Sequence, residues 1–157
     1  MLLEDEILDI FLRIVSSNRD RILNLLREKR IVGRNPHGGQ TRYFDRAIEE
    51  LIIRELRDTG YRGYIVGEEL GISRGATQEW IYIDPLDGSH NAARGINFYC
   101  ISLAYGEGKY IDDVSRAFVW DIPNDTYYYA KKGLGAYRRH RDREERMKTV
   151  RDYDIVI

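Results

Sequence analysis

The chain has 157 residues, with 25 Lys and Arg against 26 Asp and Glu and a formal net charge of −1. This length suits one domain with a real core, and the near-zero charge argues against a partner that is a nucleic acid polymer held by phosphate attraction. No apolar run approaches the roughly 18 residues of a membrane span, so no membrane association is expected. A single cysteine, Cys100, excludes an internal disulfide and a cysteine zinc cluster.

Together these properties predict a cytoplasmic protein. The acidic start of the chain, with Glu4, Asp5 and Glu6, differs from the basic start of a signal peptide. The basic residues comprise 20 Arg and 5 Lys. That bias is reported in some thermophile families and favours a thermophilic source.

The first 60 residues predict two helices. Apolar residues recur at helical spacing between Leu3 and Leu26, and Ser16-Ser17-Asn18 either interrupts this helix or lies on its wet face. Residues 33–41 are rich in Gly, Asn and Pro, which predicts a loop. A second helix is expected from about residue 44 to residue 58, because its apolar residues again share one face.

The pattern then changes to short apolar segments rich in β-forming residues. Gly106-Glu107-Gly108 and Pro123-Asn124-Asp125 separate some of them, and these dividers are short enough for antiparallel hairpins. Two helices followed by hairpin-linked strands predict an α+β fold, with the two helices packed on one face of a largely antiparallel sheet. The expected strands are residues 64–66, 80–83, 98–105, 114–120 and 126–130.

The end of the chain changes character. Residues 140–151 are densely charged, which indicates a solvated linker or a short exposed helix. Asp154-Ile155-Val156-Ile157 resembles the opening of another strand. Such a strand leaves a backbone edge to be paired by this chain or by another one, unless the sequence is part of something longer.

The most informative segment follows the strand at residues 80–83. Asp84 and Asp87 are separated by Pro85, which fixes φ, and by Leu86, and Gly88 then permits a tight turn. Such a turn can direct both carboxylates to one point beyond the strand end. Asp-Pro-x-Asp-Gly alone is also a good type I turn with no further role.

Two neighbouring features favour a site over a plain turn. Glu68 and Glu69 end the preceding apolar strand with two more carboxylates. Residues 91–94 could form one helical turn behind Gly88 and Ser89, and backbone N–H groups at such a start can hold a phosphate. Hard oxygen ligands beside an anion-binding turn are what magnesium-assisted phosphate chemistry requires.

Residues 80–91 closely match a known signature, Trp-Ile-x-Asp-Pro-Leu-Asp-Gly-Ser/Thr-x-Asn, with one extra residue between Trp80 and Asp84. Further matches are Gly67-Glu68-Glu69, a Thr-x-x-Asp-x-x-x-Glu opening of the second helix with one extra residue, and a Lys-Gly-x-Gly-Ala turn at residues 132–136. On these residues the chain resembles the inositol monophosphatase and fructose-1,6-bisphosphatase superfamily, particularly its archaeal members. The resemblance covers nearly the whole chain.

The resemblance implies a metal site. Glu68, Asp84 and Asp87 correspond to side-chain ligands of the metal, and the Leu86 carbonyl corresponds to a further oxygen ligand. Mg²⁺ is the implied cofactor, with Mn²⁺ as the alternative.

The resemblance also implies a reaction. Gly88 and Ser89 correspond to the backbone cradle of the substrate phosphate, and Glu68, Asp45 and Ser89 to catalytic residues. The Ser89 hydroxyl and the Asp45 carboxylate would order and deprotonate a metal-bound water. This water would attack a small phosphorylated substrate, such as an inositol phosphate or fructose 1,6-bisphosphate, without a covalent enzyme intermediate.

The chain departs from the family at its end, because members carry a second lobe that this sequence lacks. We therefore expect residues 1–139 to form the metal- and phosphate-binding lobe. Residues 140–157 would be a charged linker and the first strand of the absent lobe. Either a homodimer or completion by a second lobe is expected.

These departures leave alternatives open. The isolated chain would be a weak or inactive enzyme, or else a non-catalytic module that binds metal or phosphate, or a subunit completed by another chain. His37 replaces the usual acidic loop residue and is interpreted as an exposed loop histidine, with metal ligation as the alternative. His90 is interpreted as a turn residue that could instead touch a substrate phosphate.

Overall fold

The computed structural model describes residues 5–149, and its N-terminal helical segment consists of two helices. Helix α1 (Glu6–Ser17) ends at Asn18, whose side-chain amide donates a hydrogen bond to the Ile14 carbonyl at 3.0 Å. Helix α2 (Arg19–Leu25) follows at once. The second predicted helix is α3 (Tyr43–Asp58), which begins one residue earlier than expected.

The strands form an eight-stranded sheet and a separate two-stranded hairpin, which consists of β1 (Ile31–Arg34) and β2 (Gln40–Arg42). The predicted α+β class is confirmed. The large sheet contains β3 (Tyr64–Gly67), β4 (Gly71–Ser73), β5 (Trp80–Asp87), β6 (Cys100–Gly106), β7 (Val114–Asp121), β8 (Thr126–Lys131), β9 (Gly135–His140) and β10 (Arg143–Arg146).

The spatial order of the large sheet is β10-β9-β8-β7-β6-β5-β3-β4. Strands β3 and β5 are parallel, and each of the other neighbouring pairs is antiparallel. A short helix, α4 (Ser89–Arg94), follows β5, and a 3₁₀ turn (Ile111–Asp113) precedes β7. The parallel pair places Gly67, the last residue of β3, beside Ile83 in β5, so that β5 extends four residues past the end of β3.

The core lies between the large sheet and the helices. Helix α1 contacts β7, and α3 contacts β5 as well as α1 and α2. Because strand side chains alternate between faces, every second residue of the central strands is buried under these helices. The fully buried side chains include Phe11, Phe44, Ile48, Ile81, Phe118 and Trp120.

The opposite face of the sheet is also largely apolar. Trp80 and Tyr82 alternate with the buried Ile81 and are half-buried, and the Tyr64 and Trp80 rings stack with their centroids 4.4 Å apart. Val119 on β7 and Tyr128 on β8 continue this outer face. A solvated antiparallel sheet is normally polar on its outer face.

Two loop predictions are correct only in part. Of residues 33–41, the first two and the last two belong to strands β1 and β2, and residues 35–39 form the turn between them. Asn35 Oδ1 holds this turn, since it accepts hydrogen bonds from the amides of His37 (3.1 Å) and Gly39 (2.8 Å). Part of the segment interpreted as a charged linker is a strand: β10 pairs with β9 although all four of its side chains are exposed. Backbone pairing needs no apolar side chains, so charge alone does not predict a linker.

The terminal strand expected at residues 154–157 lies outside the described residues. Among the helices of residues 5–149, none is both long and apolar enough to cross a membrane.

Candidate active site

A cavity of about 220 Å³ lies at the end of β5. It contains all seven residues that the sequence predicts for metal binding, phosphate binding and catalysis. Its lining consists of Asp45, Glu68, Glu69, Asp84, Leu86, Asp87, Gly88, Ser89, His90 and Asn91. Helix α3, the β3–β4 turn, the end of β5 and the start of α4 therefore meet at one place.

A bulge in β5 brings Asp84 and Asp87 to the same cavity. Residues three apart in a regular strand point to opposite faces of the sheet. Here Asp84 lies opposite Ser102 and Asp87 opposite Cys100, so two residues of β5 span a gap that one residue of β6 fills. The extra residue rotates the strand end. Asp84 Oδ1 also accepts a hydrogen bond from the Leu86 amide at 3.1 Å, which fixes the bend.

Gly88 joins the bulge to α4 in a conformation that favours glycine. Its φ is +82°, and a Cβ at this position would lie 2.6 Å from the Phe98 carbonyl oxygen. The amides of Asn91 and Ala92 donate to the Gly88 carbonyl at 2.8 and 3.0 Å. The amides of Ser89 and His90 precede these first bonds of the helix, and both residues line the cavity.

The β3–β4 turn and α3 supply the opposite wall. Thr41 Oγ1 donates a hydrogen bond to Glu69 Oε2. Asp45 is 2% exposed. Its Oδ2 accepts a bond from the Arg42 amide at 3.3 Å, whereas its Oδ1 is buried without a hydrogen-bond partner among the described residues. Asp45 therefore presents an unpaired oxygen in a wall of this cavity.

The carboxylates of the cavity repel one another. Burial raises the pKa of Asp45 to about 7, and the charges of Glu69 and Glu68 add to the rise. Burial likewise raises the pKa of Asp84 to about 7, together with the charges of Glu68 and Asp87. A divalent cation in the cavity would favour the ionised forms and reverse these shifts.

The donor set suits a hard divalent cation. Carboxylate and carbonyl oxygens are the ligands that Mg²⁺ prefers, and the unpaired Asp45 Oδ1 is a further free acceptor. Within residues 5–149, no three His, Cys, Asp or Glu side chains are already gathered closely enough to hold a metal ion. The cavity thus holds suitable ligands that would have to converge on a cation.

His37, His90 and Cys100 all lie near the candidate site. His37 is exposed, as interpreted, but it also lines a neighbouring cavity of about 360 Å³ together with Glu68 and Asp84. His90 is exposed at the rim of the candidate site. Cys100 is half-buried, with its Sγ 4.0 Å from Asp87 Oδ2.

The sequence analysis assigned no role to Glu49, although this residue is the Glu of the Thr-x-x-Asp-x-x-x-Glu motif at the start of α3. Glu49 is fully buried in α3 and accepts hydrogen bonds from the amides of Glu69 and Leu70. Its spacing of four residues from Asp45, on the same helix face, is the signal that could have placed it at the site.

Comparison with known proteins identifies relatives of this chain. The model of the inositol monophosphatase family matches residues 22–156. A fructose-1,6-bisphosphatase/inositol-1-monophosphatase of Thermococcus kodakarensis is 33% identical over 132 residues, which cover 82% of this chain and 50% of the relative. The Nus factor SuhB of Xylella fastidiosa is 36% identical over 98 residues, which cover 62% of this chain and 34% of the relative.

Solved structures share the fold. The crystal structure of an inositol monophosphatase–fructose 1,6-bisphosphatase matches with a TM-score of 0.73 and 28% identity, over 83% of this chain and 51% of that one. The chain spans about half the length of this solved structure and about half the length of the Thermococcus kodakarensis protein.

Proposed function

Because the chain belongs to the inositol monophosphatase family, we propose that it is the metal- and phosphate-binding lobe of a Mg²⁺-dependent phosphomonoesterase. The observation that carries this proposal is the single cavity in which all seven predicted site residues meet. The names of relatives suggest inositol phosphates and fructose 1,6-bisphosphate as substrates.

Glu68, Asp84, Asp87 and the Leu86 carbonyl would hold the Mg²⁺, or Mn²⁺ in its place. When bound, such an ion supplies Lewis-acid activation of water and offsets the negative charge of the phosphate. The proposal for these four residues is supported by the bulge, since it turns two carboxylates toward one cavity.

The remaining residues would act on the water and the phosphate directly. The amides at Gly88 and Ser89 would bind phosphate oxygens, and the Ser89 hydroxyl would orient the attacking water. Asp45 would accept the proton of that water. Its buried and unpaired Oδ1 is a suitable acceptor, and a pKa raised by burial increases its basicity.

We further propose that the lobe functions when completed by a second lobe or by a neighbouring subunit. The region that matches this chain makes up about half of each of these relatives. The outer face of the sheet, with Trp80, Tyr82, Val119 and Tyr128, is more apolar than a solvated face usually is. The catalytic lobe would include β10, because this strand pairs with β9 in the large sheet, and the residues after β10 would lead into the second lobe.

Phosphate release tests this function. The chain and an extended gene product are assayed with Mg²⁺ on inositol phosphates, fructose 1,6-bisphosphate and nucleotide 3′-phosphates. We expect turnover by the extended protein, abolished by Asp84→Asn, and weak turnover by the 157-residue chain, because positioning of substrate can be worth about 7–11 kcal/mol. Full turnover by the 157-residue chain would contradict the proposal that this lobe needs a second lobe or subunit. No turnover by either protein would contradict the proposal that the protein is a phosphomonoesterase.

A non-catalytic metal- or phosphate-binding module is the second candidate. It is favoured by the name of one relative, a Nus factor. This alternative predicts binding of Mg²⁺ and phosphate without turnover, even by the extended protein.

A further inference from the structure

We propose that Glu49 is a positioning residue, which holds the turn between β3 and β4 so that Glu68 faces the cavity. This inference rests on the proposed function, because it assigns Glu68 to the metal. Glu49 is not among the residues that line the cavity. It would therefore act through the turn and touch neither metal nor substrate.

Both carboxylate oxygens of Glu49 are engaged by the backbone of this turn. Oε2 accepts a hydrogen bond from the Glu69 amide at 2.8 Å, and Oε1 accepts one from the Leu70 amide at 2.9 Å. The three-residue turn consists of Glu68, Glu69 and Leu70. The amides of Glu69 and Leu70 are thus bound to a side chain of α3, and this fixes the backbone position of Glu68, the first residue of the turn.

The chemistry of the contact requires a carboxylate. Two adjacent amide donors need two acceptors, which Glu49 supplies and which a glutamine of the same shape cannot, since its NH₂ group would face an N–H. Glu49 is 0% exposed and both hydrogen bonds are partly buried, so an amide left without this acceptor is only partly compensated by water.

The Glu49 carboxylate also lies close to Gly67, the last residue of β3. A Cβ at Gly67 would overlap Glu49 Oε1, so an alanine there would displace the carboxylate from the turn. The turn can therefore be disturbed from either partner, at position 49 or at position 67. The two disturbances share one site, so their effects should not be additive.

The experiment measures Mn²⁺ and Mg²⁺ affinity by calorimetric titration of Glu49→Gln, Gly67→Ala and the control Glu50→Gln. Glu50 neighbours Glu49 on α3 but is exposed and paired with Arg46 at 2.9 Å. We expect both turn variants to bind metal about 10–100-fold more weakly, as loss of a group that orients a ligand typically does. The control should bind like the wild type.

Hydrogen exchange supplies a readout that needs no metal. In Glu49→Gln the amides of Glu69 and Leu70 should exchange faster while the strand amides of β5 stay protected. If Glu49→Gln does not fold, the stability of the double variant Glu49→Ala/Gly67→Ala, in which the overlap is removed, is compared with that of each single alanine variant. The double variant should then be no less stable than Glu49→Ala alone.

The outcomes separate this inference from the proposed function. A wild type that binds neither metal overturns the proposed function and this inference with it. A wild type that binds, together with folded turn variants of unchanged affinity, overturns only the positioning role. Weakened binding in both turn variants, with Glu50→Gln unaffected, supports it.

Discussion

Gly88 is where backbone conformation and the candidate site meet most directly. Its φ of +82° resembles the +76° of Gly95 at the other end of α4. A Cβ at Gly88 would overlap the Phe98 carbonyl oxygen, whereas a Cβ at Gly95 would lie in open space. Gly88→Ala and Gly95→Ala should therefore share a strain cost of about 1–2 kcal/mol. Gly88→Ala should lose additional stability, because the backbone at Phe98, just before β6, must shift.

Chemical denaturation of both variants measures this difference. Phosphate binding should be lost in Gly88→Ala and kept in Gly95→Ala. Equal losses of stability in the two variants would show that the close approach to Phe98 has no energetic weight.

Asp45 should make the metal-free protein less stable as the pH rises from about 4 to 7. Burial raises its pKa to about 7, whereas an unfolded aspartate titrates near 3.9. Between these values the unfolded chain releases a proton that the folded protein keeps. The free energy of unfolding then falls, by up to about 1.4 kcal/mol per pH unit for this group.

Urea unfolding in chelator at pH 5, 6, 7 and 8 tests this dependence. Asp45→Asn should flatten the pH slope, and Asp58→Asn, at the exposed end of α3, should leave it unchanged. The same slope in all three proteins would contradict the raised pKa of Asp45.

At the residue scale, the sequence identified the cavity but not all of its supports. Asp84 and Asp87 could be predicted because they are close in sequence and follow an apolar strand. The bulge that turns them to one side depends on pairing with Ser102 and Cys100 on another strand. Glu49 binds amides 20 and 21 residues away, and such a contact leaves no local pattern.

Helix α1 begins at a cap that also ties it to the sheet. Asp5 accepts hydrogen bonds from the amides of Ile7 and Leu8, and its Oδ2 lies 3.1 Å from Arg116 Nε and 2.8 Å from Lys131 Nζ. The carboxylate is 4% exposed. One side chain thus joins α1 to β7 and β8.

Asp5→Ala should destabilise the protein by about 2 kcal/mol or more. Loss of the cap accounts for about 0.5–2 kcal/mol, and the two cations lose a buried partner in addition. Asp9→Ala, an exposed acid in the same first turn, should cost less than about 0.5 kcal/mol. Similar thermal shifts in both variants would contradict the role of Asp5.

The elements that the sequence missed are those with weak local signals. Strands β9 and β10 contain a run of charged residues, and β4 has only three residues. Helix α3, in contrast, carries a strong periodic pattern, and its position was predicted closely. The start of β5 was also predicted, but the strand continues through its bulge to Asp87, four residues beyond the expected end. The exposed charges of β10 suit an edge strand, because they discourage pairing with further chains.

The molecule as a whole is a sheet with one covered face and one apolar outer face. Helices α1 and α3 cover the face that carries Ile81 and Phe118. The sequence predicted that helices pack on one face of the sheet, but it could not show what lies against Trp80 and Tyr82. The cavity opens where the sheet, α3 and α4 converge, so its carboxylates are held by several elements at once.

Thermal unfolding with and without millimolar Mg²⁺, at matched ionic strength, tests the carboxylate cavity most directly. A cation at tenfold excess over its Kd stabilises the fold by about 1.4 kcal/mol, which for a domain of this size raises Tm by roughly 3–6 °C. We predict such a rise in the wild type and in Asp58→Asn, and its loss in Asp84→Asn. No rise in the wild type, or an equal rise in Asp84→Asn, would contradict a metal site at this cavity.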